Sequence, residues 1–284
     1  MKTVEVQDVL IRLNETVEEL PDLAEIIELQ RELLENNLQV RTAELRMVIS
    51  RENVDECLAT GTPLLRRNPP DLDWVAFSNF YVQVCHIASR HRPELSSHFE
   101  TLAGLVSDEP FRAKEMASLY LNGSSRLLGI GANGRGRDSR SELEDLDRFV
   151  LLHSLKPHLR ACTAVLAPMI DERKWQRGIC PICGSEPDLS YLEARTRNRR
   201  LVCPCCEFTW LFPRIKCPFC LTSESSDLEY FPSEDKKYRL YVCHHCKRYL
   251  KAVDLSEAGS KVMLPVERII TLPMDFAAQE YGYL

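Results

Sequence analysis

Four Cys-x-x-Cys pairs, Cys180/Cys183, Cys203/Cys206, Cys217/Cys220 and Cys243/Cys246, constrain this chain more than any other feature. A Cys-x-x-Cys turn points two thiolates at one ion, and four such pairs supply two complete tetrathiolate sites. The first two pairs are separated by 19 residues and the last two by 22, the length of a strand, a turn and a second strand. Leu189, Tyr191 and Leu192 followed by Arg200, Leu201 and Val202 supply the strands of a first unit, and Tyr238, Leu240, Tyr241 and Val242 those of a second. Pairing first with second and third with fourth closes short loops, which costs less chain entropy than an interlaced arrangement.

A lone Cys-x-x-Cys beside a βαβ pattern would indicate thiol redox chemistry, whereas four at ribbon spacing indicate metal. Cys205 lies between two ligands and has no place in a four-coordinate site. His244 and His245 sit inside the last knuckle but are not needed where eight cysteines are present. Closed tetrathiolate sites leave no coordination position for substrate, so they are structural or electron-transfer sites rather than hydrolytic ones. No G-x-S-x-G, H-E-x-x-H or P-loop pattern occurs, and no catalytic residue is assigned.

Nine of the twelve cysteines fall between Cys180 and Cys246, whereas Cys57, Cys85 and Cys162 are scattered through the first 172 residues. Charge divides at the same place. Residues 173–251 hold 15 Lys/Arg against 9 Asp/Glu, a net of +6 in a chain whose total is −6, which leaves −12 elsewhere. These shifts predict a helical domain over 1–172, metal modules over 173–212 and 213–256, and a helical tail over 257–284. The fold class expected is α+β.

The N-terminal part reads as successive amphipathic helices. Val6, Val9, Leu10, Leu13, Val17 and Leu20 recur at helical spacing, and Leu23, Ile26, Ile27, Leu33 and Leu34 do so after Pro21. Following Asn68-Pro69-Pro70, the stripe Trp74, Phe77, Phe80, Tyr81, Val84 and Cys85 predicts a core helix, capped by Asp71 or Asp73 and ended at Arg92-Pro93. Helices around 94–106 and 110–121 come next, the second closed by Asn122-Gly123. Gly129-Ile130-Gly131-Ala132-Asn133-Gly134 matches the dinucleotide fingerprint formally but lacks its strand and βαβ unit. Ser141 to Glu144 reads as a capping box opening one helix, and Pro157 as the first turn of another reaching about Ile170.

The start, MKTVEVQDVL, lacks the apolar run of a signal peptide, and the longest stretch free of Asp, Glu, Lys and Arg, Trp74 to Ser89, is too short and polar to span a bilayer. A cytoplasmic protein without membrane contact is expected.

The runs Cys180-Pro-Ile-Cys-Gly-Ser-Glu-Pro187, Arg200-Leu-Val-Cys-Pro-Cys-Cys206-Glu-Phe-Thr-Trp210, Ile215-Lys-Cys-Pro-Phe-Cys220 and Cys243-His-His-Cys246-Lys-Arg-Tyr-Leu-Lys251 together resemble the FdhE proteins, accessory factors of formate dehydrogenase biogenesis. The ending from Leu272-Pro-Met-Asp275 to Tyr283 is similar to theirs as well. The resemblance implies a helical domain with two rubredoxin-like modules, iron in the sites, and binding to the immature catalytic subunit of a molybdenum or tungsten formate dehydrogenase, often before twin-arginine export. Only Cys183 is followed by the glycine usual in rubredoxin turns, so zinc stands beside iron as the metal for two four-Cys sites. The partner-facing candidates are Arg195, Arg197, Arg199 and Arg200, whose guanidinium groups suit carboxylates. The same arginines near Tyr191, with Lys247 and Arg248 beside Tyr241 and Tyr249, would also suit a zinc-ribbon nucleic-acid binder, against which stand the negative net charge and a pI of about 5.7. A rubredoxin-like electron carrier is a third reading, and self-association is left open.

Overall fold

The computed structural model describes residues 6–38, 40, 47, 49–123, 139–259 and 262–284, with the backbone alone at 110 and 139–144. Helices α1 (Val6–Glu19) and α2 (Ala24–Asn37) form a hairpin around Pro21. Next come α3 (Arg51–Thr60), α4 (Leu64–Arg67) and α5 (Trp74–His91), then α6 (Ser96–Asp108), α7 (Pro110–Leu121) and α8 (Ser139–Leu166). Asp73 caps α5 by accepting from the amides of Val75 and Ala76, as its position before the aromatic stripe implied. That stripe is core: Phe77, Phe80, Tyr81, Val84 and Cys85 are all buried. Gly123, at φ +73, closes α7.

One helical expectation changes, and two helices add to those expected. Helices α3 and α4 carry too short a periodic pattern to stand out, although Ser50 caps α3 through the Asn53 amide and Gly61 ends it at φ +71. Pro157 does not open a new helix but lies inside α8. A proline forfeits its own amide bond to the preceding turn. Burial of Val150, Leu151, Leu155, Leu159, Cys162 and Leu166 along the same helix outweighs that loss. The glycine pattern at 129–134 and the side chains of the capping box at 141–144 lie outside the described residues.

The cysteine region forms a mixed six-stranded sheet. Strands β1 (Leu189–Leu192), β2 (Arg199–Val202) and β3 (Thr209–Leu211) make one antiparallel meander, and β4 (Leu228–Pro232), β5 (Tyr238–Cys243) and β6 (Arg248–Asp254) make another. The order is β3-β2-β1-β6-β5-β4, with β1 and β6 joined in parallel from Leu189↔Lys251 to Leu192↔Asp254. Helices α9 (Leu255–Ala258), α10 (Leu264–Ile270) and α11 (Leu272–Glu280) follow. Val266 and Ile269 of α10 share an apolar cluster with Val9, Leu13, Leu23 and Ile27, so the late helix completes the N-terminal hairpin. The largest core runs without interruption from Phe77, Tyr81 and Leu155 in the helices to Trp175, Ile182, Cys203 and Trp210 beside the first cysteine cluster. Among the described residues no helix is long and apolar enough to cross a membrane.

Candidate metal centres

All four cysteine turns have one construction. In the first, Cys180 N–H donates to Ser185 O at 2.8 Å and Gly184 N–H to Cys180 O at 3.0 Å, and in the third Cys217 N–H donates to Thr222 O and Leu221 N–H to Cys217 O at 2.9 and 3.1 Å. The residue after the second cysteine is left-handed every time: Gly184 at φ +83, Glu207 at +60, Leu221 at +64 and Lys247 at +57. Only the first has the residue that adopts this conformation without steric cost, so three positions carry roughly 1–2 kcal/mol of backbone strain each.

These turns gather Cys180, Cys183, Cys203 and Cys206 into one cluster and Cys217, Cys220, Cys243 and Cys246 into another, with all sulfurs of a cluster within 4.8 Å of one another. Facing Sγ pairs lie 3.5 Å apart for Cys180/Cys206 and 3.3 Å for Cys183/Cys203, and 3.7 Å for both Cys217/Cys246 and Cys220/Cys243. A tetrahedron with metal–sulfur bonds of about 2.3 Å has edges of about 3.8 Å, so the second cluster has the dimensions required and the first is slightly contracted. The amides of Cys205 and Cys206 donate to Cys203 Sγ at 3.4 Å. Burial pushes the Cys180 and Cys183 thiols well above their usual range. Burial acts the same way on Cys203, but hydrogen bonds from Cys180, Cys205 and Cys206 outweigh it and bring that thiol to about 6. Cys220 likewise falls to about 7, because the Thr222 amide and neighbouring thiols overcome desolvation. Each cluster thus favours a thiolate in a place where a cation would compensate the charge. The donor set fits zinc or a rubredoxin-type iron.

The surroundings of the two clusters differ. Above the first, the amides of Leu64 and Leu65 at the start of α4 donate to the Pro181 and Ile182 carbonyls at 2.8 and 2.9 Å. Helix α8 contributes Thr163, which donates to Cys206 O, and α10 contributes Arg268, which donates to Cys203 O and pairs with Asp188. Cys205 falls in neither cluster. Its sulfur is buried against the Tyr120 hydroxyl at 2.7 Å and the Ser185 hydroxyl at 3.2 Å. Glu207 is clamped by Lys156 and Arg160 of α8 at 3.4 and 3.1 Å. Burial alone would raise its pKa, yet these cations hold it low. Tyr120, Ser185, Glu207 and Arg268 escaped the sequence reading. Only Glu207 gave a signal, as a non-glycine residue following a knuckle.

At the second cluster, Arg248 stacks on the Phe219 ring at 3.7 Å and makes a two-pronged pair with Glu186 at 2.8 Å, which ties the third turn to the first. Gly178 passes so close to this turn that a Cβ there would meet Pro218 O at 1.7 Å. His244 binds Glu229 at 3.1 Å and Tyr283 at 3.0 Å, apart from the sulfur cluster.

The four candidate arginines are spread over different environments. Arg195 is exposed in the β1–β2 turn. Arg197 pairs with Asp254. Arg199 is 2% exposed, donates to the Pro213 and Lys216 carbonyls, and lies over the Phe212 and Tyr241 rings; burial lowers its pKa to about 10. Arg200 holds Glu172 at 2.6 Å and Glu193 at 3.5 Å.

No family model matches this chain. It is 27% identical over 274 residues to the protein FdhE homolog of Aquifex aeolicus, covering 94% of this chain and 88% of that one. It is 31% identical over 112 residues to protein FdhE of Escherichia coli K12, an alignment spanning 38% of this chain and 35% of that protein. The crystal structure of the FdhE protein from Pseudomonas aeruginosa superposes with a TM-score of 0.63 at 20% identity, covering 98% of this chain and 92% of that one, so the two share a fold.

Proposed function

This chain belongs to the FdhE family, and from that premise we propose that it is a cytoplasmic accessory protein of formate dehydrogenase maturation that binds the immature molybdenum or tungsten catalytic subunit and has no turnover of its own. The observation that carries this reading is the pair of four-thiolate clusters. With four protein donors around one ion, a site offers no open position for substrate, and a binding role follows. In this reading all eight cysteines hold two metal ions, iron or zinc, and the surface around the metal modules meets the subunit.

Arg195 is the exposed member of the arginine run and the one we assign to the partner's carboxylates. Arg197, Arg199 and Arg200 are engaged within the chain, which takes support from a nucleic-acid surface built on the same run. The test is genetic. Deleting the gene should lower formate oxidation in cell extracts, and the wild-type protein supplied in trans should restore it. Normal formate oxidation in the deletion strain would refute the proposal. If Arg195→Ala restores activity as well as wild type, only the surface assignment falls.

A further inference from the structure

The two clusters share a turn and a donor set, yet one is sealed and the other has an open edge. Cys180, Cys183, Cys203 and Cys206 are each 2% exposed or less and belong to the main core. A competing ligand could reach them only after α4 lifted off the first turn, breaking the Leu64 and Leu65 amide bonds to Pro181 and Ile182, or after α7 withdrew Tyr120 from Cys205. In the second cluster Cys217 and Cys243 are buried, but Cys220 and Cys246 are both partly exposed. These two come from different turns, so one edge of the sulfur tetrahedron faces outward. The flanking residues leave that edge uncovered: Leu221 is 44% and Ile215 68% exposed, and His245 is exposed. The chain's last residues lie against the backbone of the fourth turn, where Leu284 N–H donates to Lys247 O and the Tyr283 hydroxyl meets His244, and Cys246 in that turn still stays partly exposed.

We propose that the cluster of Cys217, Cys220, Cys243 and Cys246 is an exchangeable site for a divalent metal ion in the folded protein, and that the cluster of Cys180, Cys183, Cys203 and Cys206 is a locked structural site. The inference rests on the metal-binding reading above. Exchange needs an incoming donor to form a bond to the ion while one cysteine–metal bond breaks, the freed thiolate taking a proton from water. No change of oxidation state is involved. At the second cluster Cys220 or Cys246 can be displaced with the fold intact. At the first, the same step waits on opening of the helical core, and openings of that size are far rarer than fluctuations of an exposed turn. A difference of about 1.4 kcal/mol in opening free energy already separates two release rates tenfold.

The experiment uses the full chain loaded with zinc, exposed to excess EDTA under native conditions, with released zinc read by a chromogenic chelator. One zinc per chain should leave at least about tenfold faster than the other. Pulsed alkylation with mass spectrometry assigns the phases on the wild-type protein: Cys217, Cys220, Cys243 and Cys246 should become modified with the fast phase, and Cys180, Cys183, Cys203 and Cys206 with the slow one. The variant Cys217→Ser/Cys220→Ser should lose the fast phase and keep the slow. Release of both ions in one phase, or earlier labelling of the first cluster, overturns the inference while leaving the metal-binding reading intact. Failure to retain zinc, and equally ferrous iron loaded in its place, overturns both.

Discussion

Glu207 does two things at once, and substitution separates them. Its carboxylate lies between Lys156 and Arg160 of α8 and fastens the second cysteine turn to the helical region, while its backbone occupies the left-handed position that follows Cys206. Losing one partner of a fully buried ion cluster costs about 3–5 kcal/mol. Here the three side chains keep 19%, 35% and 23% of their exposure for Lys156, Arg160 and Glu207, so solvent screens part of the interaction and about 2 kcal/mol is expected. Glu207→Ala removes the carboxylate and keeps the strain. Glu207→Gly removes both, and relief of the left-handed conformation returns about 1 kcal/mol. The alanine variant should therefore be about 2 kcal/mol and the glycine variant about 1 kcal/mol less stable than wild type. Urea unfolding of metal-saturated protein followed by circular dichroism reads both as shifts in midpoint at constant slope. An alanine variant indistinguishable from wild type would refute the clamp. A glycine variant no more stable than the alanine variant would refute the strain.

Three further substitutions test other parts of the structure. Gly178→Ala drives a methyl into the Pro218 carbonyl, a backbone atom that cannot rotate away, so about 3 kcal/mol of overpacking and a fall in Tm of about 5 °C are expected by calorimetry; an unchanged Tm would contradict the close approach. Asp254 is fully buried, and although burial would raise its pKa, Arg197, Ser256 and Arg239 hold it far below the usual range. A depressed carboxylate pKa contributes stability that is present above the unfolded value and lost as pH falls through the folded one. Asp254→Asn should thus cost about 3 kcal/mol, equally at about pH 5 and pH 8, and a gap that narrows already at about pH 5 would contradict the ion pairing. Cys205→Ser should leave metal content unchanged, because that sulfur belongs to neither cluster; loss of an ion by elemental analysis would place it among the ligands.

The sequence showed the cluster-forming cysteines because metal-ligand spacing is local: each Cys-x-x-Cys turn is set by a few consecutive residues, and the 19- and 22-residue separations have the length of a strand, a turn and a second strand. The long helices were legible for the same reason, through Val6 to Leu20 and Trp74 to Cys85. What escaped depends on distant partners. The parallel pairing of β1 with β6 brings Leu189 to Lys251 across the interval between the two units, and nothing in either segment alone encodes it. Helix α4 is four residues long and is held by carbonyls from Pro181 and Ile182, so its determinant lies more than a hundred positions away. Pro157 misled because a local helix-start signal was overridden by the burial of Leu155, Leu159 and Cys162. The arginine run was read as one surface, but strand alternation in β2 turns Arg199 into the interior and Arg200 toward Glu172.

Affinity capture of the tagged protein from extracts of its native cells, with protein identification and metal analysis on the same eluate, tests the central claim most directly. The account predicts a formate dehydrogenase catalytic subunit in the eluate and two ions of iron or zinc per chain. An eluate that contains the chain with its two ions but no such subunit, under conditions in which the cells make the enzyme, would contradict it.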